Sequence, residues 1–519
     1  MKKIFTEKRW ELLVIFFIVI QPIIDLDYLI YNQLDKLGLP RIATVVRFLG
    51  LPLLCIWGYF QKSKNKKKTL ILSVLYGVVF LIYFILHNQQ AAYLRDVMGF
   101  STNFKYSPIK ELIYLATLIL PFGLMYCVTL LKPSENLIKK LAVAMSLLVA
   151  LPIFVSNLLI FGYCTYGGDA FANIFSWFSP YTFEARLLAT KFFFAEGNTI
   201  GILMFIVLPL LYLFFVKAKE NKEKILFGLL IIMHSFAMLM LGTRVATFGA
   251  ILIPAYFIVV YLIDVAIKNQ KFLLLNMIFP LVVVAIVSVI LPYTPAVVNQ
   301  KINTAKDVPL IADSSSNSKA ITKAKIEGEA LVPGSFEFDQ FYIYMFEQYG
   351  IKAGYINTVS KEYYTYWYHY TYDPKFWVDL IEMDVYDRIN GRQVQKIFMD
   401  YKLSALKPYE HILGAGYSTF MTGSIILEKD FIQQFLTLGI AGFSLTLLPW
   451  LILALLFIYK MFRGFKKYFN IEIIIYGSSL LMGFGVGYTS GHTMDQMLTS
   501  VWLAFICGIL LNKLVLKDE

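Results

Sequence analysis

"EKDFIQQFLTLGIAGFSLTLLPWLILALLF", Glu428–Phe457, is the stretch that decides the fold class. Beyond Gln434 it is an apolar run of the length that crosses a bilayer, about 20 residues. Its entry carries acid, base and acid at Glu428, Lys429 and Asp430. Charge at the edge of hydrocarbon is costly, so these three residues mark the mouth of a span and demand a reason.

The surrounding chain repeats the apolar pattern. It has 519 residues, 58% hydrophobic and 16% charged, which excludes a soluble protein of this size. Hydropathy predicts about twelve spans, at roughly 10–31, 41–60, 70–88, 111–131, 141–161, 198–216, 225–242, 245–263, 272–292, 431–459, 473–490 and 496–512. The first has a basic start like a signal peptide but no small-residue cleavage site, so it reads as a retained helix. The fold class expected is all-α: a polytopic helical membrane protein in three parts. These are spans one to nine (1–292), a large, mostly helical extracytoplasmic loop (293–430), and spans ten to twelve (431–519).

The basic joins set the orientation. "QKSKNKKK" (Gln61–Lys68), "KPSENLIKK" (Lys132–Lys140), "KAKENKEK" (Lys217–Lys224) and "KMFRGFKK" (Lys460–Lys467) all fall on one side if there are twelve spans. The positive-inside rule makes that side, and both termini, cytoplasmic. The net charge of +12 is then loop charge, and no nucleic-acid partner is expected. The four cysteines show no paired spacing, and no His/Asp/Glu cluster has metal-ligand spacing, so neither metal nor cofactor is expected. His87, His234 and His492 are isolated in sequence. Asp25 and Asp27 either pair with a neighbouring basic group or mark the external end of the first span.

The large loop opens with the polar "ADSSSNSKAITKAKIEGEALVPGS" (Ala312–Ser335), expected to be a mobile strip. "KEYYTYWYHYTYDPKFW" (Lys361–Trp377) follows, in which Trp367 and His369 suit stacking on sugar rings or an interfacial belt. In "DRINGRQVQKIF" (Asp387–Phe398), Arg388 and Arg392 stand four apart, on one face if both are helical. Two guanidiniums so placed fit a phosphate or diphosphate; pairing with Asp384 and Asp387 is the plainer alternative. Arg244, in the tight "GTR" turn (Gly242–Arg244), is a functional candidate by its depth or else a snorkelling side chain. "HILGAGYSTF" (His411–Phe420) is a Gly-rich turn whose amides could approach an anion. Glu428 and Asp430 follow it, either as a general base in a partly dehydrated cleft or as an ordinary acidic helix start.

In order, "GTR", "NGRQVQKIF", "ILGAGYSTF" and "EKDFIQQFLTLGIAGF" resemble the bacterial O-antigen ligase and Wzy-type polysaccharide polymerase superfamily. "FFFAEGNTIGILMFIVLPLLYL" (Phe192–Leu213) is similar to that family's Asn-bearing span, and the resemblance covers roughly Phe192 to Trp502. It implies a glycosyltransferase C-like membrane fold and a donor of oligosaccharide on undecaprenyl diphosphate. It further implies that Arg244 and Arg392 hold the diphosphate, with Arg388 added from spacing alone. Ligase members carry a His where this chain has Glu428, and members with an acidic pair there look more like polymerases. Glu428, or Asp430, is therefore the expected base, with Trp367, His369 and Tyr417 as candidate sugar contacts. Expected partners are the lipid-linked oligosaccharide, membrane lipid, a chain-length regulator and a flippase. The expected location is the bacterial cytoplasmic membrane, with the site on the outer face. A ligase is the alternative within the class. A lipid-linked oligosaccharide flippase is the alternative outside it, but it should show related halves around a charged central cavity.

Overall fold

The computed structural model describes residues 6–166, 174–178, 188–268, 271–312 and 314–515; the side chains of 305–317 and 329 lie outside that description. Among the described residues the chain is helical, with no strand beyond an isolated Cys164–Thr190 bridge. Twelve helices are long and apolar enough to cross a membrane. In order they are Glu7–Lys36, Ile42–Lys62, Lys66–Val97, Pro108–Leu131, Glu135–Leu158, Gly197–Lys217, Asn221–Leu241, Arg244–Lys268, Leu274–Thr304, Asp430–Arg463, Ile471–Thr489 and Met497–Val515. This is the expected polytopic architecture, with the first, third and ninth helices extending furthest beyond their hydropathy cores.

The chain divides into two compact units, and the division cuts across the expected segments. The first comprises Met1–Leu75, Leu115–Gln300 and Thr446–Glu519; the second comprises Tyr76–Tyr114 and Lys301–Leu445. Much of the third span and the start of the tenth thus fold with the large loop.

In the first unit the sixth helix, Gly197–Lys217, is buried along nearly its whole length. It packs against the fifth, seventh, eighth, eleventh and twelfth. Lipid tails are as apolar as these side chains, so close packing must hold such a bundle together. Gly249 admits the Phe205 ring and the Met238 methyl, for example. The charges gather at helix ends: Lys217 pairs with Glu135 (2.6 Å) and Glu472, Lys513 with Glu472 (2.8 Å), and Lys139 with Glu223 (2.5 Å). These ends of the fifth, sixth, seventh, eleventh and twelfth helices therefore meet, as the alternation of basic joins requires.

The second unit is packed like a soluble domain. Phe104, Tyr368, Phe376, Trp377 and Phe398 form a buried aromatic core, with the Tyr368 and Phe398 rings 4.9 Å apart. Lys402 lies inside it, 4.7 Å from the Tyr368 ring centroid and 3.3 Å from Asp373. Burial lowers its pKa, against the opposing pull of Asp373. The aromatic run is thus mainly core rather than a membrane belt. Nor is the polar strip irregular: Ser314–Lys325 is a helix. Ile321 buries fully, and Lys325 pairs with Asp379 and Glu382 at 2.7 and 2.6 Å. Composition alone missed those anchors. Asp313 lies outside the described residues.

Candidate functional site

Asn390 starts the helix Gly391–Leu403 with a capping box, accepting from the Gln393 amide while Gln393 reaches back to it. This fixes Arg392 in the first turn. Its Nε and Nη2 both lie 2.9 Å from Glu428 Oε2. Glu428 sits in a short non-helical strip, since the tenth helix starts only at Asp430. The two side chains are 37% and 44% exposed. An ion pair that open is worth only about 0–1 kcal/mol, so stability gives little reason for it. Arg392 Nη1 and Glu428 Oε1 make no hydrogen bond among the described residues, leaving a donor edge and an acceptor oxygen side by side.

Two residues not singled out in the sequence border this pair. Gln395 Nε2 donates to the Tyr363 hydroxyl (3.0 Å), while the buried Gln395 Oε1 has no partner among the described residues. Burial raises the Tyr363 pKa, the Gln395 hydrogen bond opposes this, and the nearby Glu428 charge adds to the rise. The phenol stays neutral. Neither residue has a sequence signal: one belongs to a tyrosine-rich run and the other to an amphipathic helix.

Arg388 requires a correction. The helix begins at Gly391, so Arg388 lies before it and the i,i+4 argument fails. Its guanidinium is buried and donates to the carbonyls of Met383, Tyr355 and Ile381 and to Thr358 Oγ1. Burial lowers its pKa to about 10, against Asp384. It ties the domain together and offers no face to a diphosphate. Asp430 is also not at the rim, being 1% exposed at the first position of its helix. Lys429 is half-buried.

The Gly-rich turn does receive an anion, and it is internal. Glu111 accepts from the amides of Tyr417 (3.1 Å) and Ser418 (2.8 Å), and it also pairs with His87 Nε2 (2.9 Å). His87 Nδ1 contacts the Leu413 carbonyl at 2.6 Å. A carboxylate and an imidazole, both fully buried on the third and fourth spans, thus hold the turn. Ionisable side chains in apolar spans are functional or structural anchors by default, which was the available signal. The turn meets the tenth helix backbone to backbone. Gly416 N donates to Thr437 O (2.8 Å), and Gly414 and Gly439 have φ of +79° and +70°. A Cβ on either glycine would strike the other strand's main chain. Tyr417 stacks on Tyr114 at 3.5 Å. Trp367 packs edge-on against Tyr363 (4.7 Å), and His369 contacts Thr371 (2.9 Å).

Arg244 belongs to the first unit, and Arg392 to the second. Gly242, at φ +74°, ends the seventh helix, and Arg244 opens the eighth with an exposed side chain. It makes no hydrogen bond or ion pair among the described residues.

The family model described as O-antigen ligase like membrane protein matches residues 7–517. No curated protein matches the chain.

Proposed function

Because the chain belongs to the family of O-antigen ligase like membrane proteins and is a membrane glycan-processing enzyme, we propose that it is a polysaccharide polymerase. In this reading it joins oligosaccharide repeats carried on undecaprenyl diphosphate at the extracytoplasmic face. The observation that carries the reading is the open Arg392–Glu428 pair, contributed by two of the family-like motifs.

An acceptor sugar hydroxyl attacks the anomeric carbon of the donor. The new C–O bond forms as the bond to the diphosphate breaks, and the electron pair leaves with the undecaprenyl diphosphate. Glu428 takes the hydroxyl proton through Oε1 and later returns it to water. Arg392 orients that carboxylate through one edge and offers Nη1 to the leaving group. Arg244, exposed at the start of the eighth helix, is a guanidinium of the first unit suited to holding a diphosphate. Tyr363 remains a neutral donor at the pair's border. This chemistry needs neither nucleotide sugar nor metal. The glutamate at the position where ligase members carry histidine favours polymerisation over transfer of finished glycan.

Deletion of the gene, followed by analysis of the cell's glycans, tests the reading. Single repeats on lipid are the expected product. Intact but unattached polymer would identify a ligase instead.

A further inference from the structure

A second polar constellation lies within the first unit, on elements that the reaction above does not use. Asp25, Arg41, Arg47, Glu196, Thr199 and Gln496 line a cavity of about 120 Å³, together with Phe194, Ala195, Ile200 and Leu498. Four separate segments supply them: the later half of the first helix, the start of the second, the entry to the sixth and the entry to the twelfth. Arg47 grips Asp25 with Nη1 and Nη2 (2.8 and 2.9 Å) and bonds Gln21 through Nε (2.8 Å). It stands in a π-turn, Val46–Gly50, a local widening of the helix that recurs at functional sites. Arg41 bonds Asp27, which also caps the Ala43 amide (2.8 Å).

The Asp27–Arg41 contact has a structural reason, because it fastens the turn between the first two helices. The Arg47 bonds to Asp25 and Gln21 likewise tie these helices, whereas Glu196, Thr199 and Gln496 come from other elements. Charged groups are expensive among apolar helices, and a bundle gains little stability from them. Here the paired side chains also border an open space that they share with Glu196, Thr199 and Gln496. The charges facing that space balance, two guanidiniums against the carboxylates of Asp25 and Glu196, so a diphosphate would meet two like charges. What the wall offers is a mixture of donors and acceptors: Arg41 and Arg47 N–H groups, the Gln496 amide, the Thr199 hydroxyl (3.0 Å from Glu196 Oε2) and carboxylate oxygens. An aromatic ring lies on one flank. That mixture suits the alternating hydroxyls of a neutral sugar ring.

Its location fits the donor. Glu196, Thr199 and Ile200 face the cavity from the first turns of the sixth helix, while Gly197 and Gly201 on the adjacent face abut Thr243, the residue before Arg244. Resting on the reading of Arg244 as a diphosphate ligand, we infer that this cavity seats the sugar residue attached to the donor's diphosphate.

The experiment compares two lipids on the purified full-length protein in nanodiscs: undecaprenyl diphosphate without sugar, and undecaprenyl diphosphate bearing the oligosaccharide repeat. The wild type should bind the sugar-bearing lipid more tightly. Thr199→Val with Gln496→Leu should cost about tenfold for that lipid and nothing for the sugar-free one. The single Gln496→Leu should show the same selectivity, smaller, should the double variant fold poorly. Equal wild-type affinity for both lipids would overturn the sugar subsite while leaving the proposed function standing. An equal loss for both lipids in either variant would make the cavity a phosphate site and overturn the inference too. Binding of neither lipid by the wild type would sink the proposed function, and the subsite with it.

Discussion

In the first unit, Lys217 reaches Glu135 and Glu472 at the ends of helices, and the interior between those ends is mainly apolar, with hydroxyls and the His234–Ser146 contact inside it. In the second unit, Lys402 and Arg388 lie inside the fold, among aromatic rings and carbonyls. The same residue types therefore carry different information in the two places. Where hydrocarbon surrounds the helices, a charge needs a ligand or a partner, as Arg47 and Asp25 have in each other. Where the unit packs like a soluble domain, buried charges are part of its own wiring, and exposure separates chemistry from structure. Arg388 and Arg392 are four positions apart and show this within one segment: one is sealed, the other opens onto Glu428.

The largest effect expected from this contrast is at the open pair. Glu428→Gln keeps shape and removes basicity, so polymer formation should fall by about 10²–10⁴, with protein level and thermal stability unchanged. Arg392→Lys should also lose most activity, because a point charge does not replace the planar fork. Next comes Gly439→Ala. A methyl group there meets the backbone of Ile412–Gly414 at a positive φ. Folded protein should therefore drop sharply, as read by detergent-solubilised yield and unfolding temperature. Arg388→Met should cost about 3 kcal/mol by leaving buried carbonyls unpaired, again seen in unfolding. The rate per folded molecule should stay near wild type. If that rate collapses while stability holds, the distinction between sealed and open arginines is lost. Trp367→Ala should have the smallest effect, a modest rise in KM for the lipid-linked repeat, since its ring is half-buried against Tyr363.

Much of the fold was legible because hydropathy reports membrane helices directly. All twelve appear in order, and the basic joins mark ends that the ion pairs bring together. Of the candidate site, motif order brought out one contact: Arg392 and Glu428 meet although 36 positions separate them. The helix-face argument failed at Arg388 because its helix starts only at Gly391, and nothing in the charge pattern showed that Asp430 would be buried. Spacing cannot reveal a start that a capping box at Asn390 or an extended strip at Glu428 determines. For the Glu111–His87 anchor the only signal was that ionisable groups lie in apolar spans, which named no partner. Its two halves lie on different spans, and the turn they hold lies about 300 positions further along. Tyr363 and Gln395 had no distinguishing signal in the sequence.

The most direct measurement reconstitutes the purified protein in liposomes with the undecaprenyl-diphosphate-linked repeat and reads product length by gel. Wild type, Glu428→Gln and Asp430→Asn are compared at equal amounts of folded protein. Wild type should make long chains, and Asp430→Asn, buried at its helix start, should still make them wherever it folds. Glu428→Gln should leave single repeats. Long chains from Glu428→Gln, with loss confined to Asp430→Asn, would contradict the assignment of the base and the claim that the open pair is the site of reaction.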